Sequence, residues 1–495
     1  MTPTNQVCPR TTRRPRPALA LLAALVALAA AGPAHADEER ERQLERELEE
    51  VKRRLEALER RPPSEAAPPP APSPIPAPAP SPSPSPAPSA PAAAAAPAAP
   101  AAPAAPAAPE LELTPPWNRD ALDTPGPLRG VYDKPFLASI WRRVFVGGYV
   151  ELEYHAFEDD VLGVPRGFRA HRTNVFLFGE VADRIRFGSE LEFENEEPGE
   201  DLEVAVEMAF VDWVLFEELQ LRGGVILVPL GRVNVNHDGP VRELTDRPLV
   251  STFVIPTTLS EAGVGIHGAI ALGDDLTVAY ETYITNGFRL LDRDGELAAP
   301  VEEREQILRE GRPSLGGDNN KNVATTGRVG IEALGALTLG GSWHIGSYDE
   351  RSDNLLSIVA GDGALVVGPF ALEGEIAWAG FERDTFARTA GIPDRFWGFY
   401  VQASASHMPE WLRRNVPHVF DDPGAKLTVV VRYDWVDLDD DHGQALEPGL
   451  NFRPVADTVF KLAYRFGWKT LGIRDVPGRE RLDDDGFVFG LASYF

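Results

Sequence analysis

The sequence predicts an all-β transmembrane protein, a sixteen-stranded antiparallel outer-membrane β-barrel preceded by a short coiled coil and a Pro/Ala-rich tether. Three observations predict this fold class. Apolar and polar residues alternate in one short segment after another between residues 143 and 495. The connections between these segments are short and long in turn, as in outer-membrane barrels. The last segment is rich in aromatic residues and ends at Phe495.

Residues 1–36 have the three-part layout of a secretory signal peptide. Arginines near the N-terminus precede an uncharged apolar run at 17–33, and residues 34–36 form a small-residue cleavage site. The run is shorter than the roughly 20 residues of a membrane-spanning helix, so cleavage after Ala36 is favoured over an uncleaved anchor. The one cysteine, Cys8, lies in this signal, and we therefore expect no disulfide or thiolate site in the mature chain.

Residues 37–61 are predicted to form a short periplasmic coiled coil. Their apolar residues are spaced alternately four and three apart, which is the seam of a heptad repeat. A coil this short is marginal by itself, so a solvated single helix is the alternative, and attachment to an oligomeric body would stabilise the coil. The seam residues are Leu44, Leu48, Val51, Leu55 and Leu58.

Residues 62–109 are predicted to be a stiff linker. Pro, Ala and Ser dominate this segment, and Glu65 carries its one charge, so it cannot bury a core. In polyproline II geometry it would reach roughly 150 Å, a length that suits crossing a periplasm. A plain spacer between domains is the alternative. Residues 110–142 follow as a pre-barrel segment.

The predicted barrel occupies residues 143–495. In the segment 459–468, for example, Phe460 and Leu462 lie on one face and Lys461 and Arg465 lie on the other. This period of two is typical of a strand with one apolar and one polar face. The predicted strands are 143–156, 168–181, 184–194, 203–216, 219–228, 262–272, 276–286, 323–334, 336–348, 355–367, 370–381, 396–408, 426–438, 449–455, 459–468 and 486–495.

The connections distinguish a membrane barrel from a soluble sandwich. Tight turns such as 182–183 and 368–369 alternate with long connections, which puts short turns on one rim and long loops on the other. The connection 409–425 breaks this rule, because it is long on the short-turn rim. The predicted long connections are 229–261, 287–322, 382–395, 439–448 and 469–485.

The chain contains 75 acidic and 48 basic residues, which gives a formal net charge of −27. This acidity argues against nucleic acid or an anionic membrane surface as a partner. A group made of His237, Asp238 and Asp246 is better explained as a loop of mixed charge than as a metal or catalytic site. We therefore predict no enzyme activity, no catalytic residue, no metal site and no cofactor.

A barrel of this width encloses a lumen that side chains from the wall cannot fill. The segment before the barrel has no globular part that would plug it. The polar connection after the fifth strand, 229–261, is therefore the candidate constriction. Its predicted pore-facing residues are Arg232, Asn234, Asn236, His237, Asp238, Arg242, Glu243, Asp246 and Arg247.

The polar face of the strands predicts a charged pore wall. Acidic residues concentrate on strands one, three and four, and basic residues on strands thirteen to fifteen. Acids slightly outnumber bases on this face, which predicts a mild preference for cations. For any single residue, a hydrated charge paired with its neighbour is the alternative. The predicted wall residues are Glu151, Glu153, Glu190, Glu192, Glu194, Arg222, Arg328, Arg432, Arg453, Lys461 and Arg465. The same face also carries Glu203, Glu207, Glu281, Glu373, Glu375, Arg186 and Lys426, which makes ten acids against eight bases.

Four stretches of the predicted barrel are distinctive. They are RGGVILVPLGRVNVNHDGPVRELTDRPLV from Arg222, STFVIPTTLSEAGVGIHG from Ser251, LTVVVRYDWVDLD from Leu427 and GLNFRPVADTVFKLAYRFGW from Gly449. These stretches resemble the phosphate-selective porin O and P family of trimeric outer-membrane channels. The resemblance implies a homotrimer in outer-membrane lipid, passive transport, and a loop after strand five that folds inward. The phosphate specialists of that family carry an arginine ladder and a lysine cluster, and the loops of this chain have no such run.

The predicted function is passive diffusion of small hydrophilic solutes or ions through an outer-membrane porin. One alternative is an anion- or phosphate-selective porin. Another, of a different class, is a structural anchor that residues 37–109 tether to the cell wall, with the coiled coil making the contact. The C-terminal Phe495 predicts recognition by the barrel-assembly machinery.

Overall fold

The computed structural model describes residues 138–141, 144–157, 166–194, 203–216, 218–273, 275–298, 306–313, 315, 322–439, 441–470, 481–482 and 485–495. The predicted signal peptide, coiled coil and linker lie outside the described residues, and so does most of the pre-barrel segment. The description that follows therefore concerns the predicted barrel and its connections.

Sixteen long strands, in the part of the chain that is described, form one antiparallel sheet. Residues rich in Val, Ile, Phe and Tyr alternate with polar residues along them, which suits strands with unlike faces. The strands are β1 (Val144–Phe157), β2 (Gly167–Ala182), β3 (Ile185–Glu194), β4 (Glu203–Phe216), β5 (Leu219–Leu227), β6 (Ser260–Ala271), β7 (Leu276–Thr285), β8 (Ala324–Ala333), β9 (Leu337–Ser347), β10 (Leu355–Val367), β11 (Phe370–Phe381), β12 (Arg395–His407), β13 (Lys426–Leu438), β14 (Asp441–Val455), β15 (Thr458–Thr470) and β16 (Gly486–Tyr494).

The sheet closes into a barrel. Each strand pairs with the next along the chain, and β16 returns to β1 in a register that ends at Tyr494 opposite Tyr149. Phe495 extends this seam, because its backbone exchanges hydrogen bonds of 2.9 and 3.2 Å with Gly148. Two short strands, Ala138–Trp141 beside β1 and Arg481–Leu482 beside β15, add to the sheet.

The barrel exposes apolar residues on its outer face and encloses polar residues on its inner face, which is the reverse of a soluble protein. In β13, Val429 and Val431 on the outer face are 62% and 42% exposed, whereas Thr428 and Arg432 on the inner face are 0% and 2% exposed. An apolar outer face suits contact with lipid, and closure satisfies the backbone hydrogen bonds of every strand internally. The protein is therefore a sixteen-stranded outer-membrane β-barrel, as the sequence predicts.

The predicted long connection 439–448 is wrong. β13 ends at Leu438 and β14 already begins at Asp441, so the two strands form a tight hairpin. Gly443 and Pro448 suggest a loop in sequence, yet both lie within β14. Pairing between β14 and β15 lapses between Leu446 and Gly449, so Pro448 lies where a backbone N–H is not needed. The predicted strand 449–455 is therefore too short, because β14 begins eight residues earlier. The remaining predicted strands agree with the structure to within two residues at each end.

The described connections contain five short helices. They are α1 (Leu249–Phe253), α2 (Ile307–Glu310), α3 (Thr385–Thr389), α4 (Glu410–Asn415) and α5 (Pro417–Phe420). Helices α4 and α5 occupy the exceptional connection on the short-turn rim. No helix among the described residues is long and apolar enough to cross a membrane.

Candidate pore constriction

The connection between β5 and β6, residues 228–259, folds into the barrel, and we call it the inner loop. Every residue of it is buried or half-buried, whereas a connection of this length on an outer rim would be solvated. It is slightly shorter than the predicted 229–261, because Ser260 and Glu261 belong to β6.

An amide side chain holds the two ends of the inner loop together. Asn234 donates a hydrogen bond of 2.7 Å from Nδ2 to the carbonyl oxygen of Val228. Its Oδ1 accepts a hydrogen bond of 2.8 Å from the backbone N–H of Leu259. The start and the end of the loop are thereby fixed to the same side chain.

Apolar packing joins the inner loop to one part of the wall. Val250 in α1 and Ile255 after it are fully buried, in one cluster with Ala379 of β11 and Phe396 of β12. Burying side chains of this size contributes roughly 1.5–3 kcal/mol each. The inner loop is therefore packed against the wall as well as hydrogen-bonded to it.

Two glutamates of β11 contact the first turn of the inner loop. Glu375 accepts a hydrogen bond of 3.1 Å from the backbone N–H of Val233 and one of 3.2 Å from the Ser251 hydroxyl. Glu373 pairs with the Arg232 guanidinium at 3.4 Å, and these two side chains are 30% and 23% exposed. The Arg232–Glu373 pair is thus open to water, while Glu375 is enclosed.

Of the basic side chains predicted on strands thirteen to fifteen, Arg465 pairs with carboxylates and three others bind the backbone of the inner loop. Each of these three is almost fully buried and donates to a loop carbonyl group, so it positions the loop as well as charging the wall. The contacts are Arg432 Nη1 to Asp246 O at 2.9 Å, Arg453 Nη2 to Pro240 O at 2.8 Å and Lys461 Nζ to Gly239 O at 2.7 Å.

Carboxylates surround two of the basic side chains on these strands, Arg432 and Arg465. Glu447 lies 2.6 Å from Arg432 and 3.0 Å from Arg465, and Asp434 lies 2.7 Å from Arg432. The positive charge of Arg432 and Arg465 is therefore compensated locally. The predicted cluster of bases is an ion-pair network that holds the loop.

The wall that follows β15 around the barrel also contacts the inner loop, through β16, β1 and β4. The groups that meet there are ion pairs or charge-assisted hydrogen bonds at about the optimal distance. They are Arg242 with Glu151 at 3.0 Å, Asp246 with His155 at 3.0 Å, His237 with Glu207 at 3.1 Å and Asp238 with the Tyr494 hydroxyl at 3.0 Å. Gly231 of the same loop accepts from Arg328 on β8, eight strands from β16 around the barrel, so the inner loop bridges two sides of the lumen.

Asp246 lies where contacts from β1 and β15 converge. Its carboxylate accepts from His155 at 3.0 Å and lies 3.5 Å from Arg465 Nη1. Burial by itself raises the pKa of Asp246. The hydrogen bond and charge of His155, together with the charges of Arg465 and Arg432, lower the pKa by more than burial raises it. The net pKa is well below the ordinary range, so Asp246 is ionised at neutral pH.

Arg172 is a central residue of this site that the sequence interpretation missed. Its guanidinium lies 3.4 Å from Glu151, 3.1 Å from Glu192 and 3.2 Å from Glu194. The pairing of β1 with β2 shifts register beside it. The sequence does indicate this position, because Arg172 is two residues from Asn174 and therefore lies on the same face of β2.

The remaining predicted residues have local partners. Arg222 pairs with Asp212 at 2.7 Å, away from the inner loop, and Glu153 pairs with Arg169 at 2.8 Å. Arg328 pairs with Asp362 and also donates to a loop carbonyl. Within the loop, Arg247 and Asn236 donate to loop carbonyl groups, and Glu243 accepts from a side chain of β14. These last contacts are Arg328 to Gly231 at 3.2 Å, Arg247 to Thr257 at 2.7 Å, Asn236 to Arg232 at 3.3 Å and Asn451 to Glu243 at 2.7 Å.

Comparison with known proteins gives limited likeness. No family model matches the chain. An uncharacterized protein of Aquifex aeolicus (strain VF5) is 31% identical over 281 residues, which cover 53% of this chain and 61% of that protein. The chain thus matches less than two thirds of that relative's length.

Solved structures with a similar chain path include three outer-membrane proteins. An anion-selective porin from Comamonas acidovorans has a TM-score of 0.47 at 12% identity and covers 71% of this chain and 99% of its own. The outer-membrane channel DcaP of Acinetobacter baumannii has a TM-score of 0.45 at 11% identity, covering 71% and 97%. Salmonella typhi OmpF in complex with daunomycin has a TM-score of 0.45 at 8% identity, also covering 71% and 97%. Likeness at this level does not indicate function.

Proposed function

We propose that the protein is an outer-membrane porin that lets small hydrophilic solutes or ions diffuse passively and that the inner loop narrows its lumen. The observation that supports this proposal is the position of the loop, which is bonded to charged side chains on opposite parts of the wall. A barrel of sixteen strands is wide enough for an aqueous channel. A fixed, polar loop across it would restrict solute size while leaving a hydrated path.

The proposal is tested by single-channel recording of the full chain in a planar lipid bilayer. We expect discrete, ohmic conductance steps after insertion. A folded barrel that inserts but produces no steps would instead favour the structural anchor. Heat-modifiable mobility in gel electrophoresis provides the control that the inserted protein is folded.

We further propose a mild preference for cations. The half-buried charged groups at the inner loop are balanced, with Glu243, Asp246 and Glu373 against Arg232, Arg242 and Arg247, whereas the predicted wall face carries more acids than bases. The bases that would make an anion site are nearly buried, and each is engaged with a loop carbonyl group or, in the case of Arg465, with the carboxylates of Glu447 and Asp246. This distribution supports the cation preference over the anion- or phosphate-selective alternative.

Replacing Glu190, Glu192 and Glu194 together by Gln should shift the reversal potential in a salt gradient toward anions. The shift should be larger at low salt, because screening shortens the Debye length to about 10 Å at 0.1 M. A matched triple replacement of Glu410, Asp421 and Asp422, which are exposed in the connection on the short-turn rim, should shift the reversal potential less. A wild-type channel that is already anion-selective at low salt would contradict the proposal.

We also propose that the protein is a homotrimer of the phosphate-selective porin O and P type, with an N-terminal coiled coil that supports assembly. Leu48→Asp combined with Leu55→Asp places charges in the heptad seam and should abolish cross-linking between N-terminal segments of the full chain. The barrel should still form, because its strands close on one another. Loss of heat-modifiable mobility in the double variant would show that the two parts are not independent.

A further inference from the structure

A cluster of ligand-type side chains lies where the inner loop meets β2, β3 and β4. One oxygen or nitrogen atom from each of Glu190, Glu207 and His237 lies within 4.8 Å of the other two. All three residues are buried, at 0%, 4% and 0% exposure. The cluster joins the loop, through His237, to two neighbouring strands of the wall.

The hydrogen bonds of His237 orient its ring. Nδ1 lies 3.0 Å from the carbonyl oxygen of Asn234, which only accepts, so Nδ1 carries a proton. In the neutral ring Nε2 then has a lone pair, yet it lies 3.1 Å from Glu207 Oε2 and 3.9 Å from Asp238 Oδ1. A lone pair that faces carboxylate oxygens requires a proton or a positive ion between them, which can be a second ring proton, a proton on Glu207 or a metal ion.

A second proton on the His237 ring does not account for the surroundings of Asn174 and Glu207. Its Nδ2 donates to Glu190 at 2.8 Å and to Glu207 at 3.0 Å, which draws the two carboxylates together without supplying charge. Asn174 Oδ1 and Glu207 Oε1 are buried oxygen atoms that accept no hydrogen bond from the described residues. Leaving buried acceptors unsatisfied is costly, and a proton on His237 would reach neither of them.

A neighbouring cluster shows the contrast. Glu151, Glu153 and His171 also bring three ligand-type atoms within 4.8 Å. There, however, Arg242 lies 3.0 Å and Arg172 lies 3.4 Å from Glu151, so guanidinium groups of the protein supply the positive charge. A metal ion at that cluster would meet strong repulsion.

We propose that Glu190, Glu207 and His237 form a binding site for a divalent transition-metal ion of the Zn²⁺ type, which fastens the inner loop to the wall. One imidazole nitrogen with two carboxylates suits Zn²⁺, whereas Ca²⁺ and Mg²⁺ prefer oxygen ligands alone. A His whose other ring nitrogen donates to a backbone carbonyl is the usual arrangement of a metal ligand. The site goes beyond the proposed transport function, because metal binding requires only that the inner loop lies against β3 and β4 and does not depend on conduction.

The proposal is tested by titrating Zn²⁺ into the full chain, purified without a histidine tag and freed of metal by a chelator. We expect one tightly bound Zn²⁺ per chain that excess Ca²⁺ does not displace. Glu207→Gln and His237→Gln should each weaken this binding by about tenfold or more. Co²⁺ in place of Zn²⁺ should show an absorption spectrum that is lost in His237→Gln.

His344→Gln is the matched control. It removes a different buried His–Glu pair, His344 with Glu261 at 2.8 Å, and should leave Zn²⁺ binding unchanged. Wild-type chain that binds no Zn²⁺, or that releases it to Ca²⁺, would overturn the proposal and leave a proton on His237 or Glu207 as the bridge. Folded Glu207→Gln and Glu190→Gln variants that both bind Zn²⁺ as the wild type does would overturn it equally.

Discussion

Deleting residues 233–240 from the inner loop should raise the single-channel conductance about twofold or more, because the narrowest section dominates the resistance of a pore. The deletion removes Asn234 and His237, and with them the contacts to Val228, Leu259 and Glu207. It also removes the carbonyl groups that Arg453 and Lys461 bind. The loop would therefore be both shorter and freed from two parts of the wall.

Deletion of the equally long segment 411–418 is the matched control. That segment lies in the exposed connection with helices α4 and α5 on the short-turn rim, so its loss should leave the conductance nearly unchanged. Both variants should keep heat-modifiable mobility, since closure of the barrel depends on its strands. An unchanged conductance in a folded 233–240 deletion would place the inner loop away from the conducting path.

The strands could be predicted because the lipid and the lumen impose opposite requirements on alternate residues. β13 shows this most clearly, since its predicted bounds of 426–438 are those of the structure. Lipid selects Val429 and Val431, and the interior selects Thr428 and Arg432. Burial alternates along this strand, and inner-face exceptions in polarity such as Val430 and Val436 are apolar because they pack in clusters with residues of the inner loop.

The partners of the inner charges could not be predicted from that periodicity. Alternation assigns a side chain to the inner face, but the groups that it meets there come from distant parts of the sequence. Arg453 binds the carbonyl group of Pro240, and Lys461 binds that of Gly239, each more than 200 residues away. The sequence therefore predicts a charged wall and an inward loop, while the bonds between them require the folded structure.

Arg172→Met should lower the free energy of unfolding by roughly 3–5 kcal/mol, the usual cost of removing one partner from a buried ion-pair network. Arg172 is buried among Glu151, Glu192 and Glu194 at 3.4, 3.1 and 3.2 Å, so its loss leaves three carboxylates close together without that charge. Met has a similar length and preserves most of the packing. The change should therefore report the electrostatic loss more than a cavity.

Arg186→Met on the neighbouring strand β3 is the matched control for Arg172→Met. Arg186 lies 3.9 Å from Glu180, and both side chains are about one fifth exposed, at 22% and 21%. Water screens such a pair, so its loss should cost at most about 1 kcal/mol. Urea unfolding of both variants in lipid vesicles, followed by tryptophan fluorescence, measures the difference. If the two variants unfolded at the same urea concentration, Arg172 would not be a stabilising centre of the wall, and the acids around it would have to be held by protons or by other cations.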